Sequence, residues 1–194
     1  HRREHSIEFQ AVWLRHVYGA DCPPMLPILC GSLHELIARG ADVLEMYHDL
    51  ITRDIVLAAD VLRTVYETSG ARDGYVSIEV SPHLAYDAEG SIAEGRKLWM
   101  RLARPNVMIK VPATHAGLRA IQTLVAEGVN VNVTLLFGIA RYREVLDAWM
   151  MGLEQRLAAD LPIGRCASVA SFFLSRIDTL VDRQLDSIGH TLPG

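Results

Sequence analysis

A chain of 194 residues, half of them hydrophobic, can bury one sizeable core but is too short for two full domains. Its formal charge of -4 and pI near 6.1 leave no electrostatic footprint for nucleic acid, and no run of like charge marks a solvating tail. No apolar run reaches the roughly 18 residues that a bilayer span needs, so no membrane partner is expected.

The three cysteines, Cys22, Cys30 and Cys166, are odd in number and lack C-x-x-C spacing. That argues against a disulfide framework or a zinc site and favours a reducing, cytoplasmic setting. No signal-type apolar block follows His1-Arg2-Arg3-Glu4-His5, so secretion is not expected. The missing initial Met points to a processed form or a fragment.

In chain order, residues 1–32 form an unassigned segment with a short helix around Ile7 to Tyr18 and a proline-rich stretch, Asp21 to Pro27, that cannot be regular helix. Residues 33–194 read as one α/β domain. Ile55, Ala58, Ala59, Leu62, Val65 and Tyr66 recur at helical spacing, so a helix is expected over about Arg53 to Thr68. Gly70 ends it and Asp73-Gly74 turns the chain. A short strand, Tyr75 to Val80, stops at Ser81-Pro82, and a helix with Ile92, Arg96, Trp99 and Leu102 along one side follows. Next come a strand from Asn106 to Val111 and a helix from about Ala116 to Ala126, capped by Gly128. A third strand, Val129 to Leu136, leads to a long helix, Ile139 to Leu157. A fourth, Ala167 to Phe173, precedes a closing helix from Arg176 to Ser187.

Strands alternating with helices imply βαβ units and a parallel sheet. Right-handed crossovers leave an open doubly wound sheet or a (β/α)8 barrel. The strand faces favour the barrel. Alternate side chains point to opposite faces, and a sheet covered by helices on both sides should be apolar on both. Here Val76, Ile78 and Val80 oppose Ser77, Glu79 and Ser81. Likewise Val107, Ile109 and Val111 oppose Met108, Lys110 and Pro112, and Val131, Val133 and Leu135 oppose Asn130, Asn132 and Thr134. Ser171 lies among Val169 and Phe173. One apolar face towards helices and one polar face suit a barrel interior, with Glu79, Lys110, Asn132, Thr134 and Ser171 converging near the C-terminal strand ends.

Singly, a Glu in a strand reads as a solvated edge, and a Ser or Asn as a satisfied core group. Lys110 is different, because it lies in Val-Met-Ile-Lys-Val-Pro with no polar sequence neighbour and lysine is almost never buried unpaired. Desolvation disfavours an ammonium, and a neutral amine can attack a ketone to give a protonated imine, an electron sink for carbon–carbon cleavage. Glu79 and a water held by Thr134 could shuttle the protons, and Asn132 could bind a sugar hydroxyl.

The segments Ser77-Ile78-Glu79-Val80-Ser81-Pro82, Ile109-Lys110-Val111-Pro112-Ala113-Thr114, Asn130 to Phe137 and Ser168 to Arg176 resemble, in order and spacing, the motifs of transaldolases. The resemblance covers about residues 33–189 and is close to the longer bacterial type, including forms fused to glucose-6-phosphate isomerase. It implies a (β/α)8 TIM barrel of the class I aldolase type, present as about strands three to six of eight. It further implies transfer of a dihydroxyacetone unit between sugar phosphates, in the pentose phosphate pathway, without metal or organic cofactor. By resemblance Lys110 forms the Schiff base, Glu79 acts through a water, and Thr134 helps hold that water. Asn132 and Ser171 would contact the dihydroxyacetone moiety, Phe173 would wall the site, and Arg176 would bind the phosphate. Arg176 would follow Ser175 as a helix N-cap. The family's first-strand aspartate and a second-strand Thr-Ser-Asn-Pro-like motif are not found, so weak or no turnover is expected. Another Schiff-base aldolase and a non-catalytic barrel fragment remain as alternatives, and a homo-oligomer is left open.

Overall fold

The computed structural model describes residue 40 and residues 43–189. The chain divides into two compact units, His1–Leu50 and Ile51–Gly194. The helix expected around Ile7 to Tyr18, the proline-rich stretch and the boundary at residue 32 lie outside the described residues.

The described elements are α1 (Val43–Val61), α2 (Arg63–Thr68), β1 (Val76–Glu79), a 3-10 turn (Pro82–Leu84), α3 (Ala88–Leu102), β2 (Val107–Pro112), α4 (His115–Ala126), β3 (Val131–Leu136), α5 (Ile139–Ala158), β4 (Ser168–Phe172) and α6 (Leu174–Gly189). The single helix expected over Arg53 to Thr68 is instead the end of α1 plus α2. Bonds from Leu62 N to Ala58 O and from Tyr66 N to Leu62 O, each 3.0 Å, carry the helical path across the break.

All four strands are parallel and lie in the order β1-β2-β3-β4. With a helix after each, they are consecutive βα units of a (β/α) barrel. Among the described residues β1 and β4 each pair on one side only. The apolar strand face expected from alternation is the one that packs on helices. Val107, Ile109, Val111 and Val131 are fully buried against Ala120, Ile121 and Leu124 of α4, which are also at 0 % exposure.

The βα junctions are fastened by side chains written into the sequence. Asp87 caps α3 by accepting from Gly90 N at 3.0 Å, and Thr114 caps α4 by accepting from Gly117 N at 2.9 Å. Gly117 is required by closeness, since a Cβ there would stand 1.9 Å from Pro112 O. At the other end of α4, Gly128 (φ +85) lies one residue beyond the cap, Glu127. Its N–H bonds to Val125 O and the Val129 N–H to Leu124 O, each 2.9 Å, closing a Schellman motif.

Before β2, the first strand residue expected, Asn106, is a buried clamp rather than part of the strand. Its Nδ2 donates to Ala59 O at 2.8 Å and Gly74 O at 2.9 Å. Exposed ion pairs tie helices together at the surface. Hydrogen bonding between Asp60 and Arg104 lowers the carboxyl pKa and raises that of the guanidinium, and Glu127 does the same to Arg96. Burial first, then the neighbouring Tyr66, pushes the Tyr75 phenol up, and its OH donates to Ala71 O at 2.9 Å.

The core predicts a sharp contrast in stability. Leu124→Ala, at a fully buried position, should destabilise the chain by about 2–5 kcal/mol. Leu57→Ala, 63 % exposed, should stay within about 0.5 kcal/mol in the same urea denaturation. A pH dependence follows from Tyr75. Its folded pKa is raised, so its contribution to stability is complete below about pH 10 and is lost as pH rises through the folded value. Tyr75→Phe should remove that contribution to the alkaline decline, read by urea denaturation at a series of alkaline pH values.

Candidate active site

The parallel register sets three of the candidate residues on one level. Glu79 is paired with Lys110, and Lys110 with Asn132. The Lys110 Nζ stands 3.8 Å from a Glu79 carboxylate oxygen, with the two side chains 27 % and 48 % exposed. The amine is partly exposed rather than fully buried. Its neighbours along β2 are apolar, but the next strand supplies a carboxylate. A pair this open contributes only about 0–1 kcal/mol. Fold stability does not explain its presence.

Asn132 reaches in two directions. Its Nδ2 donates to Ser77 Oγ at 2.9 Å, and its Oδ1 accepts from Ser171 Oγ at 2.8 Å. The first bond reports the shape of the sheet. Ser77 is level with Met108, Asn132 with Lys110 two residues on, and the two lie on strands separated by β2. In a flat sheet they would be about 9.6 Å apart across the strands, twice the ~4.8 Å spacing, further than a serine and an asparagine can reach. The sheet therefore curls towards its polar face. The candidate residues line the concave side, as in a barrel interior. Asn132 is the second residue of β3, so it sits deeper than the C-terminal strand end expected for it.

Above this floor the third strand changes. Val133 faces Ala170 and Leu136 faces Phe172, so Thr134 and Leu135 together oppose Ser171. This is a β-bulge, with Leu135 at φ +61. It overturns the expectation that Leu135 continues the apolar face. Leu135 is 39 % exposed, while Leu136 is fully buried. The switch of parity also frees Phe137 from the helical side, and its ring stacks on Phe173 with centroids 5.7 Å apart. Thr134, 1 % exposed, keeps a buried Oγ1 with no hydrogen-bond partner among the described residues.

Arg176 sits at the rim, its Cζ 4.6 Å from the Phe173 ring centroid. Helix α6 begins at Leu174, so Ser175 is inside the helix and is not its N-cap. Arg176 N donates to Phe173 O at 3.1 Å.

Glu79 is the last residue of β1, and the loop after it is held from three sides. Glu94 accepts from Ser81 N at 2.7 Å, Ser91 Oγ donates to Leu84 O at 2.9 Å, and Thr114 Oγ1 donates to Ala85 O. A cavity of about 490 Å3 lies at the starts of α3 and α4, lined by Tyr86, Asp87, Glu89, His115 and Arg119. None of the candidate residues lines it.

The structure thus brings together Glu79 and Lys110, and separately Asn132 with Ser171 and Phe173 with Arg176. Two contributors escaped the sequence reading. Ser77 shares the Glu79 face by alternation but looks like any strand serine. Phe137 lay on the wrong side of an unbulged strand. Among the described residues, no helix is long and apolar enough to cross a membrane.

Curvature, parallel order and a polar concave face define the class as a (β/α) barrel. The particular family follows from comparison. A family model described as Transaldolase/Fructose-6-phosphate aldolase matches residues 29–193, and the chain belongs to this family. The chain is similar to the transaldolase of Saccharopolyspora erythraea, 52 % identical over 157 residues, covering 81 % of this chain and 42 % of the relative. Transaldolase 1 of Streptomyces avermitilis is 50 % identical over 183 residues, 90 % of this chain and 48 % of the relative. The transaldolase of Acidothermus cellulolyticus is 46 % identical over 183 residues, with 90 % and 49 % covered. The chain therefore spans less than half the length of these curated relatives.

Proposed function

We propose that this chain carries the imine-forming machinery of a transaldolase, with Lys110 capturing the ketone of a sugar phosphate so that a dihydroxyacetone unit passes between sugars in the pentose phosphate pathway. The observation that carries the reading is the single level shared by Glu79, Lys110 and Asn132 on the concave face, with 3.8 Å between amine and carboxylate. The donor is sedoheptulose 7-phosphate or fructose 6-phosphate, and the acceptor glyceraldehyde 3-phosphate or erythrose 4-phosphate. The setting is the cytoplasm.

In the proposed reaction the Lys110 amine adds to C2 of the ketose. One proton passes from the nitrogen to the carbonyl oxygen to give the carbinolamine, and a second proton on that oxygen lets it leave as water as the nitrogen lone pair closes the protonated imine. Glu79 moves these protons through one water. Thr134 holds that water, a role its otherwise unpartnered buried hydroxyl supports. Asn132 and Ser171 bind hydroxyls of the dihydroxyacetone part. Phe173 walls the site and presents Arg176 to the phosphate. When the C3–C4 bond breaks, its electron pair flows into the imine and the C4 hydroxyl proton must leave. The family's aspartate for that proton is not found in this sequence, so imine formation is the step to measure.

Borohydride trapping with fructose 6-phosphate should leave a reduced adduct on the peptide bearing Lys110, read by mass mapping. Lys110→Ala should leave none, and Glu79→Gln should slow trapping by about 100-fold or more. An adduct confined to Lys97, or no adduct, would sink the proposal. Any dihydroxyacetone unit released to water rather than passed to erythrose 4-phosphate would mark a simple aldolase instead.

Arg176→Ala should raise the half-saturating concentration of fructose 6-phosphate about ten-fold or more, the loss of a charge-assisted contact, and leave that of unphosphorylated dihydroxyacetone unchanged. Equal effects on both ketones would remove Arg176 from the phosphate site.

A further inference from the structure

We infer that Ser77 is a positioning residue that fixes the plane of the Asn132 amide beside Lys110, and so sets the affinity of the site for the ketose. The inference rests on the Schiff-base reading above and goes beyond it, since Ser77 has no part in that chemistry.

An asparagine amide rotates about χ2 unless both ends are held. Here both ends are held, Nδ2 by Ser77 Oγ at 2.9 Å and Oδ1 by Ser171 Oγ at 2.8 Å. The anchors lie on β1 and β4, either side of the strands that carry Lys110 and Asn132. Ser77 is two residues before Glu79 on the same face, so it ties Asn132 from below the level of the amine.

Each amide end then keeps one unused position. The nitrogen has a second N–H and the oxygen a second lone pair. A fixed amide therefore offers a substrate hydroxyl one donor and one acceptor in set directions. Without Ser77 the amide hangs on Ser171 alone and must be ordered by the ketose itself, which weakens binding.

The packing does not otherwise need Ser77. Its hydroxyl bonds to a partly exposed side chain rather than to the backbone, and the helical side of β1 is filled by Ile78, 5 % exposed. A hydroxyl lost here should register in the site before it registers in the fold.

The test is a saturation curve for borohydride trapping on Lys110 with fructose 6-phosphate, run on the full chain and on Ser77→Ala, Ser77→Thr, Asn132→Ala and the Ser77→Ala/Asn132→Ala double variant. Ser77→Ala should raise the half-saturating concentration about five-fold, the loss of one hydrogen bond, and change the limiting rate by less than about two-fold. Ser77→Thr, which keeps the hydroxyl, should restore the curve. In the Asn132→Ala background Ser77→Ala should have no further effect, because its target is gone. Should Ser77→Ala lose its native circular dichroism, Ser77→Cys, a weak hydrogen-bonding group of similar size, takes its place with the same expected shift.

Normal trapping with a Ser77→Ala curve matching the unaltered chain would overturn this inference alone. So would an equal loss from Ser77→Ala whether or not Asn132 is present. Absence of any adduct on Lys110 in the unaltered chain would overturn the Schiff-base reading and this inference together.

Discussion

Everything at the concave face depends on the register between parallel strands. A slip of one residue would send Lys110 under the helices and a valine into the site. What forbids the slip is the opposite face. Ile109, Val111, Val131 and Val133 are at most 1 % exposed, and each such side chain contributes about 1.5–3 kcal/mol by its burial. The exposed pair of Glu79 and Lys110 contributes far less. Apolar packing holds polar groups in a row that they could not hold for themselves.

The same residue type serves two ends of the sheet differently. Asn106 and Asn130 are buried and donate to backbone carbonyls, Asn106 to Ala59 and Gly74, Asn130 to Pro105 and Val107. Those amides close the N-terminal ends of the strands and have little freedom left. Asn132 is partly exposed and bonded only to side chains. An amide fastened to main chain behaves as structure. One held between two hydroxyls keeps a donor and an acceptor position open.

The sequence exposed what depends on period and hid what depends on neighbours. Alternation along each strand was enough to separate the helix-packed valines from Ser77, Glu79, Lys110 and Asn132, because a single strand carries that information. The contact between Lys110 and Glu79 was not readable as a distance, since register between strands is not written in either one. The bulge at Leu135 was invisible for a related reason. Leucine has no Gly-like signature for φ > 0, and its conformation is imposed by pairing with β4. The start of α1 was missed because clear helical spacing begins only near Ile55. Ser175 looked like an N-cap by type, but the helix starts one residue before it.

The extra residue in β3 separates two tasks along one strand. Up to Thr134, side chains follow the count set by the neighbouring strand and stay tied to the depth of the lysine. Beyond it the count starts afresh, and the aromatic pair with its arginine belongs to the mouth. Such a joint lets the opening be reshaped while Lys110 and its neighbours stay where they are.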